Sequence, residues 1–159
     1  MISLPTAKAH LRVEIDDEDA LITEMIDSAT RYVERRTGWH LGEPDDVTWY
    51  LCGTGTSTLW LPQPVEEATV EEDGEELDAG DYEVRGRRLV RADAAWSPVV
   101  EYAVTATVGY ADDEGPADLR QAVRLLVWDW YEERGNYVAA QGGAVAVVPH
   151  GLNKLLAAY

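Results

Sequence analysis

The clearest helix signal in the chain lies at residues 115–135, which read GPADLRQAVRLLVWDWYEERG. Pro116 suits the first turn of a helix, because its ring fixes φ and its missing N–H has no helical partner there. Asp118 places a carboxylate near the positive end of the helix dipole, and Gly135 stands where a C′ residue ends a helix. One face is apolar at three- and four-residue steps, through Leu119, Ala122, Val123, Leu126, Val127 and Trp130. This pattern predicts a long central helix over 116–135.

A second apolar pair on the same helix, Leu125 and Trp128, lies off that stripe. A helix that is apolar on more than one side is buried on more than one side. In a chain of 159 residues, the second partner is either the rest of the core or another copy of the protein. We therefore predict Leu125 and Trp128 as subunit-interface residues, with an ordinary core position as the alternative.

Composition sets limits on the class of protein. The length favours one domain, or one core with an inserted element. No run of about eighteen apolar residues predicts a transmembrane helix, and the first residues do not have the pattern of a secretory signal. The single cysteine, Cys52, excludes an internal disulfide framework and fits a reducing compartment.

The chain is strongly acidic, with thirteen basic and thirty acidic residues and a net charge of −17. Phosphate binding requires a basic stripe, whereas an acidic surface repels DNA and anionic lipid. We expect neither sequence-specific nucleic-acid binding nor membrane binding. The charge is explained by solubility, by adaptation to high salt, or by a surface that sits near nucleic acid without binding it, and charge alone does not separate these.

Two helices are predicted in the N-terminal part of the chain. Ser3 is a suitable N-cap for a short first helix. Asp16 and Asp17 are N-cap candidates for a second helix over 17–37, which Gly38 closes. The apolar face of this second helix consists of Leu21, Ile22, Met25, Ile26, Ala29, Tyr32 and Val33.

Between about residues 46 and 110 the pattern becomes that of a small antiparallel sheet. Short β-branched and aromatic runs predict strands at 47–51, 58–61, 65–70, 82–84, 88–90 and 99–108. Turns and strand ends are predicted from proline, glycine and aspartate, at Pro62, Pro64, Asp73, Gly74 and residues 85–87.

The same region carries ten acidic residues and no Lys or Arg between Glu66 and Glu83. Like charges at this density favour a solvated face and oppose edge-to-edge sheet pairing. The predicted acidic surface consists of Glu66, Glu67, Glu71, Glu72, Asp73, Glu75 and Glu76.

Together these segments predict a single α+β domain over 1–159. Its helical bundle would consist of the two N-terminal helices in 1–40, the long central helix in 116–135 and a short C-terminal helix. The antiparallel sheet at 46–110 would be inserted between them, and a flexible tail would occupy 136–159. The end of the tail is apolar at helical spacing, so it either folds back onto the core or docks on a partner, through Leu152, Leu155, Leu156 and Tyr159.

Residues suited to catalysis or metal binding form no recognised pattern. The three histidines are scattered, and a single cysteine gives little basis for a zinc site. Residues 53–55 lack the lysine of a phosphate loop, and no Gly-x-Ser-x-Gly elbow is present. The acidic runs at 16–17 and 112–114 could bind Ca²⁺ or act as acid and base, but both precede helices, where carboxylates serve as caps. We therefore predict no catalytic residue, no metal and no cofactor.

The order of several short segments resembles a known family. The segments are KAHLRV at 8–13, DEDALI at 17–22, YVERRTG at 32–38, DYEV at 81–84, VTATVGY at 104–110, PADLRQA at 116–122, YEER at 131–134 and LLAAY at 155–159. Over essentially the whole chain, this arrangement resembles the head–tail connector (adaptor) family of tailed phages, which is also found in prophages and gene transfer agents.

The resemblance implies a structural virion protein rather than an enzyme. It implies a homo-oligomeric, dodecameric ring beneath the portal protein, with a tail-side connector or stopper protein below it and DNA passing through. It also implies a location at the head–tail junction of a particle made in the bacterial host cytoplasm. The C-terminal segment of such proteins reaches into the portal, so the four apolar tail residues are predicted portal-docking residues.

Two further functions remain open from the sequence. The first is a small acidic ligand-binding domain or enzyme that uses Trp49, Trp60 or Trp128 around a pocket. The second is a DNA mimic that binds a basic protein through the acidic run at 66–83. A deep pocket with convergent carboxylates or a histidine would favour the first, and salt-sensitive binding to a basic partner would favour the second.

Overall fold

The computed structural model describes residues 1–133 and Leu156. Within them the fold is mixed α+β, with three helices in residues 1–133 and antiparallel sheets, as the sequence predicts at this level. The chain divides into two compact units. The helical unit consists of Met1–Glu43 and Tyr110–Tyr159, and the β unit consists of Pro44–Gly109.

The helical unit contains α1 (Leu4–Leu11), α2 (Asp19–Thr37) and α3 (Ala117–Glu133), each packed against the other two. The predicted face of α3 is confirmed, since Leu119, Ala122, Val123, Leu126 and Val127 are all buried. They meet the α2 residues Ile22, Ile26, Ala29 and Val33 in one apolar cluster. Complete burial of a large aliphatic side chain contributes roughly 1.5–3 kcal/mol, so this cluster holds the unit together. The predicted Gly135 end of α3 and nearly all of the short C-terminal helix lie outside the described residues.

The predicted N-cap of α1 is confirmed. Ser3 has extended backbone, and its Oγ accepts a hydrogen bond from the Thr6 backbone N–H at 3.3 Å. The helix ends at Arg12, whose φ of 60° is left-handed, and its N–H reaches back to the carbonyls of Lys8 and Ala9. The end of α2 at Gly38, with φ of 74°, is also as predicted.

The predicted N-caps of α2, Asp16 and Asp17, are wrong. The helix begins at Asp19, and the capping position is Glu18, whose side chain makes no cap bond. The Asp16 carboxylate is instead taken by Lys8 of α1, whose Nζ lies 2.7 Å from it and 2.6 Å from the Asp19 carboxylate. The Glu18 carboxylate accepts from the Tyr131 hydroxyl of α3. These carboxylates therefore bond to side chains of α1 and α3 rather than cap α2.

The acidic run at 112–114 also differs from its prediction, because Asp113 serves α1 rather than the helix that follows it. Its carboxylate accepts from the Ser3 N–H at 3.2 Å, the Ser3 hydroxyl at 2.5 Å and the Thr6 hydroxyl at 2.9 Å. Burial raises the pKa of the Asp113 carboxyl, but these hydrogen bonds and the Arg124 charge outweigh it and lower the pKa overall. The ionised carboxylate therefore stabilises the start of α1 across a long stretch of sequence.

We expect Asp113→Ala to lower the free energy of unfolding by about 1–3 kcal/mol, because it removes three hydrogen bonds to a charged group. Urea unfolding measures the loss. The exposed neighbour Asp112 makes no such bonds, so Asp112→Ala should stay within about 0.5 kcal/mol of the wild type. Equal losses in the two variants would contradict this role.

The same carboxylate gives stability a pH dependence. Because the folded pKa of Asp113 lies below its ordinary value of 3.8, its contribution is present above that value. The contribution is lost as the pH falls through the folded pKa. The difference in stability between the wild type and Asp113→Asn should therefore shrink in acid.

The β unit has six strands in two antiparallel sheets. They are β1 (Asp45–Cys52), β2 (Thr58–Val65), β3 (Thr69–Glu72), β4 (Glu75–Glu76), β5 (Tyr82–Arg91) and β6 (Glu101–Val108). One sheet has the order β1-β6-β3-β4, and the other pairs β2 with β5. The expectation of a single sheet is therefore wrong, since β2 and β5 pair only with each other within the described strands. The apolar side chains of both sheets meet in one cluster.

Two features of the β unit match their predictions. On β6 the predicted alternation places Tyr102, Val104, Ala106 and Val108 in the core, although the strand starts at Glu101 rather than at 99. Asp73 and Gly74 form the two-residue turn between β3 and β4, with φ of 54° and 84°. Two positive φ values in a two-residue loop match the twist of a hairpin.

The prolines do not end β2, contrary to the prediction. Pro62 and Pro64 lie inside the strand, which runs on to Val65. A proline cannot donate to a sheet ladder, but β2 has only one neighbouring strand and its pairing is irregular between Trp60 and Val65. The missing N–H groups are therefore not needed there.

The predicted hairpin at residues 85–87 is also wrong, because β5 runs through it as one strand. Gly86 has φ of 62° and lies opposite Val65, at the irregular end of the β2–β5 pairing. The Arg87 Nε donates to the Leu61 carbonyl at 3.3 Å across this irregularity. Glycine allows the strand to bend here without reversing.

Candidate interaction surfaces

Among the residues that the structure describes, no three His, Cys, Asp or Glu side chains converge as a metal site requires. The Asp16 and Asp113 carboxylates, considered from the sequence as Ca²⁺ ligands or as acid and base, form hydrogen bonds with residues of the first helix and its N-cap. None of the helices described in residues 1–133 is long and apolar enough to cross a lipid bilayer.

The three tryptophans considered for a ligand pocket have different surroundings. Trp49 is half-buried and packs against the β-unit core. Trp60 is 62% exposed on β2, and Trp128 is 47% exposed on α3. Exposure of the apolar indole ring to water is unfavourable, and tryptophan is enriched at protein interfaces.

The predicted interface pair on α3 borders an open groove of the helical unit. Leu125 is half-buried and Trp128 is exposed, and both line a groove of about 450 Å³. The other lining residues are His10, Leu11, Arg12 and Glu132. The lining thus combines apolar side chains with charged ones, and protein–protein contacts commonly have such a mixed composition.

Of the four predicted docking residues, only Leu156 lies within the described part of the chain. It is helical, 8% exposed, and packs in the apolar cluster of the helical unit. Leu152, Leu155 and Tyr159 lie outside the described residues. The end of the chain thus contacts its own subunit at one point at least.

The predicted acidic surface is largely solvent-exposed. Glu66, Glu67, Glu71, Asp73, Glu75 and Glu76 are exposed, whereas Glu72 is half-buried. We call Glu71, Asp73, Glu75 and Glu76 the acidic hairpin, because they lie on β3, β4 and their turn. In the β3–β4 register Glu71 faces Glu76 and Glu72 faces Glu75.

Glu72 differs from its neighbours because it pairs with Arg91 inside the β unit. The Arg91 Nη2 lies 3.2 Å from the Glu72 carboxylate, and its guanidinium lies 4.3 Å from the Trp96 ring centroid. Tyr102 contacts the Trp96 ring edge-on at 4.9 Å. The sequence indicated none of these contacts, because the four residues come from separate segments.

Sequence reasoning also missed a basic surface on β5. Arg85, Arg87 and Arg88 are exposed, and the Arg88 guanidinium lies 5.9 Å from the ring centroid of Trp60 on β2. Arg85 pairs with Glu83 at 2.5 Å. We call Arg85, Arg87, Arg88 and Trp60 the arginine surface. The sequence signal is the cluster RGRR at 85–88, of which residues 85–87 are predicted as a turn and Arg88 as the start of a strand.

Comparisons with known proteins agree with the resemblance stated from the sequence. A family model described as phage gp6-like head-tail connector protein matches residues 1–72. One solved structure, described as the neck of an empty GTA particle computed with C6 symmetry, is 23% identical with a TM-score of 0.67, and the match covers 99% of this chain and 88% of that one. Another, the neck of a native GTA particle computed with C12 symmetry, is 21% identical with a TM-score of 0.61, covering 99% and 91%. A search of curated proteins gave no match. The resemblance to connector proteins is confirmed over residues 1–72, and the fold similarity extends over nearly the whole chain.

Proposed function

We propose that this chain is a head–tail connector subunit, a structural virion protein that joins a DNA-filled head to a tail. The observation that carries the proposal is the match of residues 1–72, which contain α1, α2 and the first three strands, to connector proteins. The similarity of the whole fold to neck structures supports it. The subunit works by contact rather than by catalysis.

The subunit forms a closed ring with copies of itself. The two similar necks were computed with six-fold and twelve-fold symmetry, which supports a ring of repeated subunits, dodecameric in this proposal. Ring closure requires a heterologous contact, in which two different patches of one chain meet on adjacent copies. We assign one of these patches to the α3 groove lined by Leu125 and Trp128.

DNA passes through the ring without being held by it. Each phosphate bound by a cation would slow that passage, whereas a net charge of −17 per subunit keeps phosphates at a distance. The remaining contacts are with a portal protein above and a tail-side connector or stopper protein below. The place of action is the head–tail junction of a particle made in the bacterial cytoplasm.

The C-terminal residues dock on the portal. Because Leu156 is buried against its own helical unit, it anchors the tail, and the partner contact belongs to Leu152, Leu155 and Tyr159. Of the four predicted docking residues, one therefore holds the tail on its own subunit and three contact the portal. An apolar helical segment that fits a groove on a partner is a common mode of recognition.

We expect the purified chain to cosediment with the portal ring of the same particle. Leu152→Asp combined with Tyr159→Asp should weaken attachment at least about tenfold, because charges would replace apolar anchors. This double variant keeps Leu156, so helical circular dichroism should be unchanged. A chain truncated after Val148 should also fail to attach.

Retention of full attachment by both variants would reject the docking assignment. Failure of the wild-type chain to attach to portal or tail components would reject the connector function itself. Leu156→Ala is the matched variant for the anchor, and it should reduce stability by about 2–5 kcal/mol.

A further inference from the structure

The basic residues of the β unit are concentrated on one strand. The unit has fourteen acidic residues and four basic ones, and all four are arginines of β5. Arg91 is used inside the unit by Glu72. The other three belong to the arginine surface, where only Arg85 has a carboxylate partner among the described residues. This surface is therefore a local positive patch on a strongly negative unit.

The acidic hairpin, in contrast, carries only negative charge. Glu71 and Glu76 face each other across the β3–β4 pair, and like charges in that arrangement destabilise a sheet. Within residues 1–133 no basic side chain pairs with any of the four acidic-hairpin carboxylates. Cations from outside the chain would remove this repulsion.

We propose that the acidic hairpin of one copy docks on the arginine surface of the next copy. The two patches differ, so the contact is heterologous and repeats around a ring. Guanidinium groups bind carboxylates in paired hydrogen bonds, and Arg and Trp are the residues that most often dominate interface energies. The proposal deepens the connector function and rests on it, because it names a further pair of surfaces, besides the α3 groove, by which neighbouring subunits meet.

A nucleic acid fits the arginine surface less well than a second copy does. Arg85 already shares its charge with Glu83, so two exposed guanidiniums remain without a carboxylate among the described residues. The β unit carries fourteen acidic residues in all, and their charge repels a polyphosphate at long range.

Charge reversal on each surface tests the contact. One variant is Arg85→Glu with Arg88→Glu, which leaves Arg87 and its bond to Leu61 in place. The other is Glu71→Lys with Glu76→Lys. Self-association of the full chain is measured by sedimentation velocity in about 0.1 M salt. The screening length is then about 10 Å, so the repulsion between the net charges of two chains is reduced, whereas the attraction between ion pairs in direct contact is largely kept.

Each variant alone should self-associate at least about tenfold more weakly than the wild type, because like charges would meet at the contact. An equimolar mixture of the two should recover association, since both contacts become complementary again. The matched control for the Glu71→Lys, Glu76→Lys variant is Glu24→Lys with Asp27→Lys on the exposed side of α2, which changes the net charge by the same amount and in the same direction and should not weaken association.

Three results would overturn the inference. These are no self-association of the wild type, no loss in the reversed variants, or no recovery in their mixture. Loss of binding to a short DNA duplex by the arginine variant, with association unchanged, would also overturn it in favour of nucleic acid. Portal cosedimentation of the same variants separates the two proposals, because persistent attachment leaves the connector function standing even if this contact fails.

Discussion

Trp96→Ala should lower the free energy of unfolding of the β unit by about 3–5 kcal/mol. Trp96 is fully buried, and its Nε1 donates to the carbonyls of Ser57 at 3.1 Å and Leu89 at 3.2 Å. Its ring also lies beneath the Arg91 guanidinium. The substitution would open a cavity and remove the indole N–H that two carbonyls accept from. It would also remove the ring that contacts the buried Arg91 guanidinium.

Trp60 provides the matched comparison, because it is the same residue type at 62% exposure. Trp60→Ala should cost less than about 1 kcal/mol, chiefly its contact with Arg88. Hydrogen exchange of the β5 and β6 amides reports the unit separately from the helices. Equal destabilisation by the two substitutions would show that the Trp96 cluster does not organise the β unit.

Gly53→Ala is expected to be the second most damaging substitution. A Cβ at Gly53 would lie 2.0 Å from the Ser97 carbonyl oxygen and 2.7 Å from the Trp96 carbonyl carbon. Both are backbone atoms, so no side chain can rotate to make room. The segment that carries Trp96 would have to move, at a cost of about 3 kcal/mol or more.

The control for this substitution is Gly80→Ala. A Cβ at Gly80 meets nothing within 4 Å, and its backbone is not left-handed. Alanine there should be neutral or stabilising by up to about 1 kcal/mol, because it restricts the unfolded chain. Thermal unfolding followed by near-ultraviolet circular dichroism distinguishes the two. A Gly53→Ala protein as stable as Gly80→Ala would contradict the close backbone approach.

The helices were predictable because their determinants are local. The α3 face repeats every three or four residues, Ser3 caps within one turn, and Gly38 ends α2 with a conformation that favours glycine. The Asp73-Gly74 turn was predictable for the same reason.

The features that sequence reasoning missed depend on partners far away in the chain. Asp113 caps a helix that begins 109 residues earlier, and Arg91 is held by residues from three other segments. Pro62 is tolerated because β2 has one neighbouring strand, which is a property of the sheet and not of the residue. Local sequence patterns show which contacts a residue is able to make, and the tertiary structure determines which of these contacts forms.

Some residues of the proposed interaction surfaces were predicted from the sequence. The acidic run and the off-stripe pair Leu125 and Trp128 were identified from composition and helical phase, and the structure places them on exposed or half-exposed faces. The arginine surface was missed because Arg85 and Arg87 fall in a predicted turn, whereas Arg88 and Trp60 fall in two separate predicted strands. For Leu156 the sequence left open both folding back onto the core and docking on a partner, and in the structure it packs on its own helical unit.

We propose that copies of this chain form a ring at the junction of head and tail. The direct test is a cryo-electron microscopy reconstruction of the neck of the particle that contains this chain. We expect a closed ring below the portal into which the helical unit and the β unit both fit. A complete neck with no density for this chain would rule out the proposed ring.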